Sequence, residues 1–251
     1  MRGFGLGAGA MQGYKRAVMQ FQTPLIPARL IRRYKRFLAD FTLADGQAVT
    51  AHCPNTGAMT GLDTPGLTCW LEPNTDPRKK LAYGWRLVGL PGGGLANIDT
   101  SLPNRIVAEG LAQGRVATLS AYTDFRREVV LGASRVDFRA TAPGLPDVYL
   151  EVKSVTLRRG AQALFPDTVT TRGARHLADL AQARGAGHRA VMLYLISRTD
   201  CAGFGIAADL DPAYASAYDA ARRAGVEVLA HACDITLQGI TFGAPIPTPP
   251  L

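Results

Sequence analysis

The chain has 251 residues, 47% hydrophobic and 19% charged, enough for one large or two modest domains with a real core, and not the composition of a disordered or fibrous chain. No run reaches the roughly 18 apolar residues needed to span a bilayer, and the four cysteines (Cys53, Cys69, Cys201, Cys233) have neither zinc-ribbon spacing nor the density of a disulfide scaffold. The net charge of +8 is uneven: residues 1–90 carry 12 Lys/Arg against 5 Asp/Glu, and residues 91–251 carry 16 against 15, which favours an anionic partner for the N-terminal third.

Residues 1–18, small and glycine-rich, make a poor secretion signal and read as a disordered or misassigned N-terminal extension, with Met19 a natural start. Reduced thiols and no secretion signal lead to the expectation of a cytoplasmic protein. From 24 to 90 the pattern is short strands separated by turn chemistry. The run LIPARLIRRYKRFLADFTL is followed by Asp45-Gly46 and QAVTAHC, a hairpin signal. PNTG (54–57) is a turn, and LTCWLEP and KKLAYGWRLVGL are further strands. Four or more strands without a helix predict a small OB-like β-barrel over 19–94, with PGGG (91–94) a flexible join.

Residues 95–251 read differently. Pro103-Asn104 opens a short helix, RIVAEGLAQG. ATLSAYTDFRREVVLGASRVDFRA and DVYLEVKSVTL are strands. TTRGARHLADLAQARGAG is an amphipathic helix, and HRAVMLYLIS is a strand covered on both faces. Asp211-Pro212 starts another helix, and VEVLAHACDI is the last strand. This order predicts an α/β domain with a mixed central sheet.

Within YLEVKSVTL (149–157), Glu151 and Lys153 project to one face of an otherwise apolar strand. Either they form an exposed cross-strand pair, or they are buried and need a partner or a metal. Asp137 lies on the preceding strand, with thirteen residues between it and Glu151, and a hairpin would bring the two acids together. A hard cation such as Mg²⁺ (or Mn²⁺) is suited to a few carboxylates plus waters and substrate phosphate. Lys153 would then position water or stabilise charge on an attacked phosphodiester. Asp, a short gap, then Glu-x-Lys resembles the PD-(D/E)xK nuclease signature, and Glu109 on the preceding helix resembles the extra acid that superfamily often contributes.

Arg172 and His176, four apart on the following helix, share a face and are expected to meet phosphate beside the acids. Asp167 is either an outer acid of the site or a helix-start residue. Arg32, Arg33, Lys35 and Arg36 flank Tyr34 and Phe37; on a barrel strand the basic residues would grip a nucleic-acid backbone, with Phe37 in the core. Asn55-Thr56-Gly57 is expected to be a structural turn.

RYKRFLADF (33–41), HCPNTGAM (52–59), GASRVDF (132–138), LEVKSVTL (150–157) and FPDTVTTRGARHL (165–177), in that order, resemble the sugar fermentation stimulation protein A family. The resemblance implies an N-terminal OB-like domain, a C-terminal PD-(D/E)xK nuclease-like domain, DNA binding and a metal-dependent nuclease site. Two functions compete: a Mg²⁺-dependent phosphodiesterase on DNA, with RNA and a homodimer left open, and a non-cleaving DNA-binding regulator of sugar metabolism on a nuclease scaffold. No membrane partner is expected.

Overall fold

A computed structural model describes residues 19–250; the reading of 1–18 as an extension lies outside them. The chain runs through β1 (Met19–Gln20), β2 (Ile26–Tyr34), β3 (Leu38–Leu43), β4 (Ala48–His52), β5 (Thr68–Pro73), β6 (Tyr83–Gly89), β7 (Leu95–Asn97) and helix α1 (Pro103–Ala112). It continues through β8 (Asp124–Leu131), β9 (Ser134–Thr141), β10 (Val148–Val155), β11 (Leu157–Arg159), β12 (Gln162–Phe165) and α2 (Thr171–Gly185). The last elements are β13 (Arg189–Ile196), β14 (Gly203–Ile206), α3 (Pro212–Arg223), β15 (Glu227–Ile235) and β16 (Gly239–Pro245).

The first sheet has the order β4-β3-β2-β5-β6-β7, and a parallel β4–β6 pairing at Ala51–Tyr83 and His52–Gly84 closes it into a barrel. Alternation fills it: Leu30, Phe41, Leu71 and Trp85 point inward, with Phe41 and Trp85 in edge-to-face contact at 5.2 Å. The run from 25 to 43 is two strands, not one. They turn at Lys35 and Arg36, whose φ values of 49° and 61° are left-handed. Paired positive φ suits the right-handed twist of a tight hairpin, but no glycine or asparagine announces it.

The second sheet has seven strands, β1-β16-β15-β13-β10-β9-β8, with β10, β13 and β15 parallel and the rest antiparallel. Helix α1 covers one face, and α2 and α3 the other. On α1, Gly110 allows the close approach: an added Cβ would lie 2.5 Å from the Phe242 ring. A small sheet, β11-β12-β14, flanks the domain. Its short strands and the Gly/Pro-containing β16 go unread in the sequence, because each is defined by a distant partner rather than by its own pattern.

PGGG is a hairpin turn rather than a loose join. β7 extends the barrel sheet through Asn97, while β1 belongs to the other sheet. Gly94 has φ +91°, and a Cβ there would meet Thr199 Oγ1 at 2.3 Å, so only glycine fits. β7 is also stitched to the segment after β13: Asn97 N–H donates to Ser197 O (2.8 Å), Thr199 N–H to Leu95 O (3.0 Å) and Leu95 N–H to Thr199 Oγ1 (3.0 Å). Among the described residues no helix is long and apolar enough to cross a membrane.

Candidate active site

β10 carries the centre of the site. Leu150 and Val152 pack on the α1 face, and Glu151 and Lys153 leave on the α2 face. β9 and β10 pair at Ala140–Val148, Arg139–Tyr149 and Phe138–Leu150, and there the ladder stops. At that fork the Asp137 carboxylate takes the place of a rung: Oδ2 accepts the Val152 N–H at 2.7 Å. Oδ1 accepts Asn104 Nδ2 at 2.5 Å, from the first turn of α1. Burial, then the nearby Glu151 charge, pushes the Asp137 carboxyl up to about 6.

Glu151 is only 3% exposed. Lys153 Nζ donates to its Oε1 at 2.6 Å, and His176 Nδ1 lies against the same oxygen, off the angle of a full hydrogen bond. Burial pushes the Glu151 carboxyl up, but His176 and Lys153 together outweigh it and hold it below the usual carboxylate range. Its Oε2 is buried with no hydrogen-bond partner. An ionised oxygen left bare in the interior is costly, and here it lies beside a second carboxyl, that of Asp137, and the Lys153 ammonium.

Helix α2 brings its first turn over these groups because its start is held firmly. The Thr170 side chain accepts the Gly173 N–H at 3.1 Å. Thr170 N–H in turn donates to Asp211, the residue that also caps α3. Gly173 lets the helices meet, since a Cβ there would sit 3.0 Å from the Tyr214 ring. Arg172 Nε donates to His176 Nε2 at 3.2 Å, which leaves Nδ1 to carry the ring proton toward Glu151, a tautomer inferred from these partners.

Asp137, Glu151, Lys153, His176 and Arg172 are therefore brought together. Glu109 is not: its Oε2 accepts the Met19 N–H at 2.7 Å, its Oε1 lies 3.5 Å from Arg105 Nε, and it fastens β1. The α1 side chain at Asp137 is Asn104, which sequence reading placed only as a helix start. The barrel cations also divide. Arg32 pairs with Asp40 at 2.9 Å and lies over the Tyr34 ring. Arg33 turns inward and donates to Asn55 O (2.9 Å) and Gly57 O (3.0 Å), with Asp63 at 3.6 Å; it ties down the 54–57 loop instead of facing a ligand. Lys35 and Arg36 stand exposed at the β2–β3 turn, not on a strand, and Phe37 beside them is 51% exposed rather than in the core.

Among the described residues no group of three His, Cys, Asp or Glu gathers to cage an ion, unlike a zinc centre. Two carboxylates, one with a bare buried oxygen, fit the sparser protein ligation of Mg²⁺ or Mn²⁺, which keep waters.

A closed OB-like barrel joined to a mixed, restriction-endonuclease-like sheet with an Asp/Glu-x-Lys set at its strand fork is the PD-(D/E)xK nuclease-like class of protein. Residues 31–98 match the SfsA N-terminal OB domain, and residues 101–239 match the sugar fermentation stimulation protein RE domain. The chain belongs to the sugar fermentation stimulation protein family. It is 59% identical over 235 residues to the sugar fermentation stimulation protein homolog of Dinoroseobacter shibae, covering 92% of this chain and 96% of that one. The homolog of Paramagnetospirillum magneticum is 49% identical over 229 residues, covering 91% and 97%. The SfsA of Pyrococcus furiosus, solved in complex with Ca²⁺, superposes with a TM-score of 0.83 at 25% identity, over 94% of this chain and 100% of that one.

Proposed function

We propose that this protein is a cytoplasmic DNA-binding phosphodiesterase that requires Mg²⁺ or Mn²⁺ and cleaves at the Asp137–Glu151–Lys153 site. The observation that carries this reading is the buried, unpartnered Oε2 of Glu151 beside the Asp137 carboxyl. The Pyrococcus furiosus relative was solved in complex with Ca²⁺, which supports a divalent cation as the partner of this chain.

Asp137 and Glu151 would hold the ion; bound, it would supply Lewis-acid neutralisation of the phosphate and a more acidic water. Asn104 and the Val152 N–H fix the Asp137 carboxylate, so that little reorganises when a cation arrives. The Lys153 ammonium faces the charge that develops on the phosphoryl oxygens as water attacks phosphorus and the ester P–O bond breaks. Arg172 extends this positive edge along α2, and the neutral His176 ring turns Nδ1 toward Glu151. The exposed Lys35 and Arg36 of the barrel turn would meet the backbone of the bound strand, and Arg32, despite its pairing with Asp40, lies beside them.

The test is cleavage of labelled single- and double-stranded DNA and RNA with Mg²⁺ or Mn²⁺. Lys153→Ala should lower the rate about 10²–10³-fold while leaving binding nearly intact. Equal rates for the variant and the parent chain would reject the role given to Lys153. Salt-dependent DNA binding without cleavage under any metal would favour the regulator on a nuclease scaffold.

A further inference from the structure

Two openings on the protein differ in charge. A groove on the barrel is lined by His52, Lys79 and Lys80 and by no acid; Arg86, which also lines it, is already paired with Glu72 and Asp99. A cleft of about 260 Å³ between barrel and sheet is lined by Asn55, Thr56, Ile98, Thr156, Phe165 and Asp167, among others, and by no lysine or arginine. Its one charged group is a carboxylate. A phosphodiester is drawn to the first opening and repelled from the second.

We propose that the cleft receives a single unpaired nucleobase of a strand bound at the Glu151–Lys153 site, an inference that rests on the nucleic-acid reading above. A carboxylate accepts from amino and ring N–H groups of a base edge. Phe165 and Ile98 provide apolar walls for a flat ring, the mixture of apolar surface and a few aimed polar groups that small-molecule pockets use. Gly57 keeps the cleft open: its φ is ordinary, yet a Cβ would lie 3.0 Å from Asp167 Oδ2 and 3.1 Å from Asn55 Oδ1. Ser154, the residue after Lys153 on β10, also lines the cleft, its hydroxyl held by Ser197 at 2.8 Å. Ser154 follows Lys153 but leaves the opposite face of β10, so in this proposal the strand passes around the end of β10, with the base on one side and its phosphate on the other.

Guanine matches Asp167 best, since its pairing edge offers two N–H donors side by side. Thymine, with one N–H between two carbonyl oxygens, matches worst. Pairing hides that edge, so the base enters unpaired.

The experiment is fluorescence anisotropy of the full chain in EDTA, with a labelled oligothymidylate and the same strand carrying one central guanine. The guanine strand should bind about tenfold tighter, and Asp167→Asn should level the two to within twofold while binding to oligothymidylate persists. Gly57→Ala, which fills the mouth, should level them as well. Lys79→Ala/Lys80→Ala should weaken both strands by the same factor and leave the ratio unchanged. No guanine preference, or one that survives Asp167→Asn, overturns the base pocket while leaving the phosphodiesterase reading standing. A ratio changed by the lysine variant overturns the division between the two openings. Failure to bind any strand, DNA or RNA, sinks the nucleic-acid reading and the pocket with it.

Discussion

Among the acids that the protein buries, two clusters are finished to different degrees. At the seam of barrel and sheet, Glu72 and Asp99 converge on Arg86. Glu72 Oε1 accepts the Gln22 N–H and Oε2 accepts Arg86 Nε at 2.7 Å. Asp99 Oδ1 accepts the N–H and hydroxyl of Ser101, and Oδ2 accepts Arg86. All four oxygens are occupied. At the fork of β9 and β10, Asp137 and Glu151 surround Lys153, but one Glu151 oxygen has nothing to accept from and the Asp137 carboxyl is raised to about 6. A cluster that serves only to fasten two lobes can be fully satisfied. A bare oxygen alone does not mark such a cluster, since Glu109 Oε1 and Asp179 Oδ2 are also buried without hydrogen-bond partners; the fork is set apart by a second, raised carboxyl and the Lys153 ammonium beside it.

The sharpest way to break this comparison is to remove each central cation in turn. Arg86→Ala strands two buried carboxylates and should cost about 3–5 kcal/mol in urea unfolding, with no recovery on adding Mg²⁺, Mn²⁺ or Ca²⁺. Lys153→Ala should cost less, and divalent cations should restore much of the loss. Recovery of both variants by metal, or of neither, would erase the distinction.

A smaller effect is expected from pH. Because its carboxyl is raised, folded Asp137 holds its proton more tightly than the unfolded chain does. Its stabilising contribution is therefore complete below the ordinary carboxyl range and is lost as pH rises through about 6. A cation competes with that proton. The rise in Tm on adding metal should be slight at pH 5 and full by pH 7, as read by calorimetry against an EDTA control; a shift independent of pH would put the ion elsewhere.

The smallest effect belongs to a turn outside both clusters. Replacing Lys35-Arg36 by Asn-Gly relieves two left-handed non-glycine residues and should stabilise the fold by about 1 kcal/mol. If those cations touch phosphate, the same change flattens the salt dependence of DNA binding by roughly two units of slope. An unchanged slope would remove the turn from the contact surface.

Much of the site could be read from the chain because strand and helix periods are short and rigid. Alternation on two paired strands put Asp137, Glu151 and Lys153 within reach of one another and the family resemblance chose the site over an exposed pair, while Arg172 and His176 needed the spacing of one helical turn. What escaped depended on how elements rotate against each other. Whether Asn104 or Glu109 faces Asp137 is decided by the seating of α1, which the contact of Gly110 with Phe242 sets, and no local pattern reports it. Arg33 stands beside Arg32 in the same basic run, yet it turns to the 54–57 loop, a partner some twenty residues away. The barrel was legible from its turns, but the break at Lys35-Arg36 was hidden because it lacks the residues that usually make such a bend.

The rungs between β7 and the residues after β13 carry one more consequence. Prying the lobes apart would sacrifice three hydrogen bonds and the snug seat of Gly94 on Thr199, so the space between them behaves as a fixed gauge rather than a jaw. Whatever enters must already be thin enough or supple enough to pass, and the cost of distortion falls on the guest.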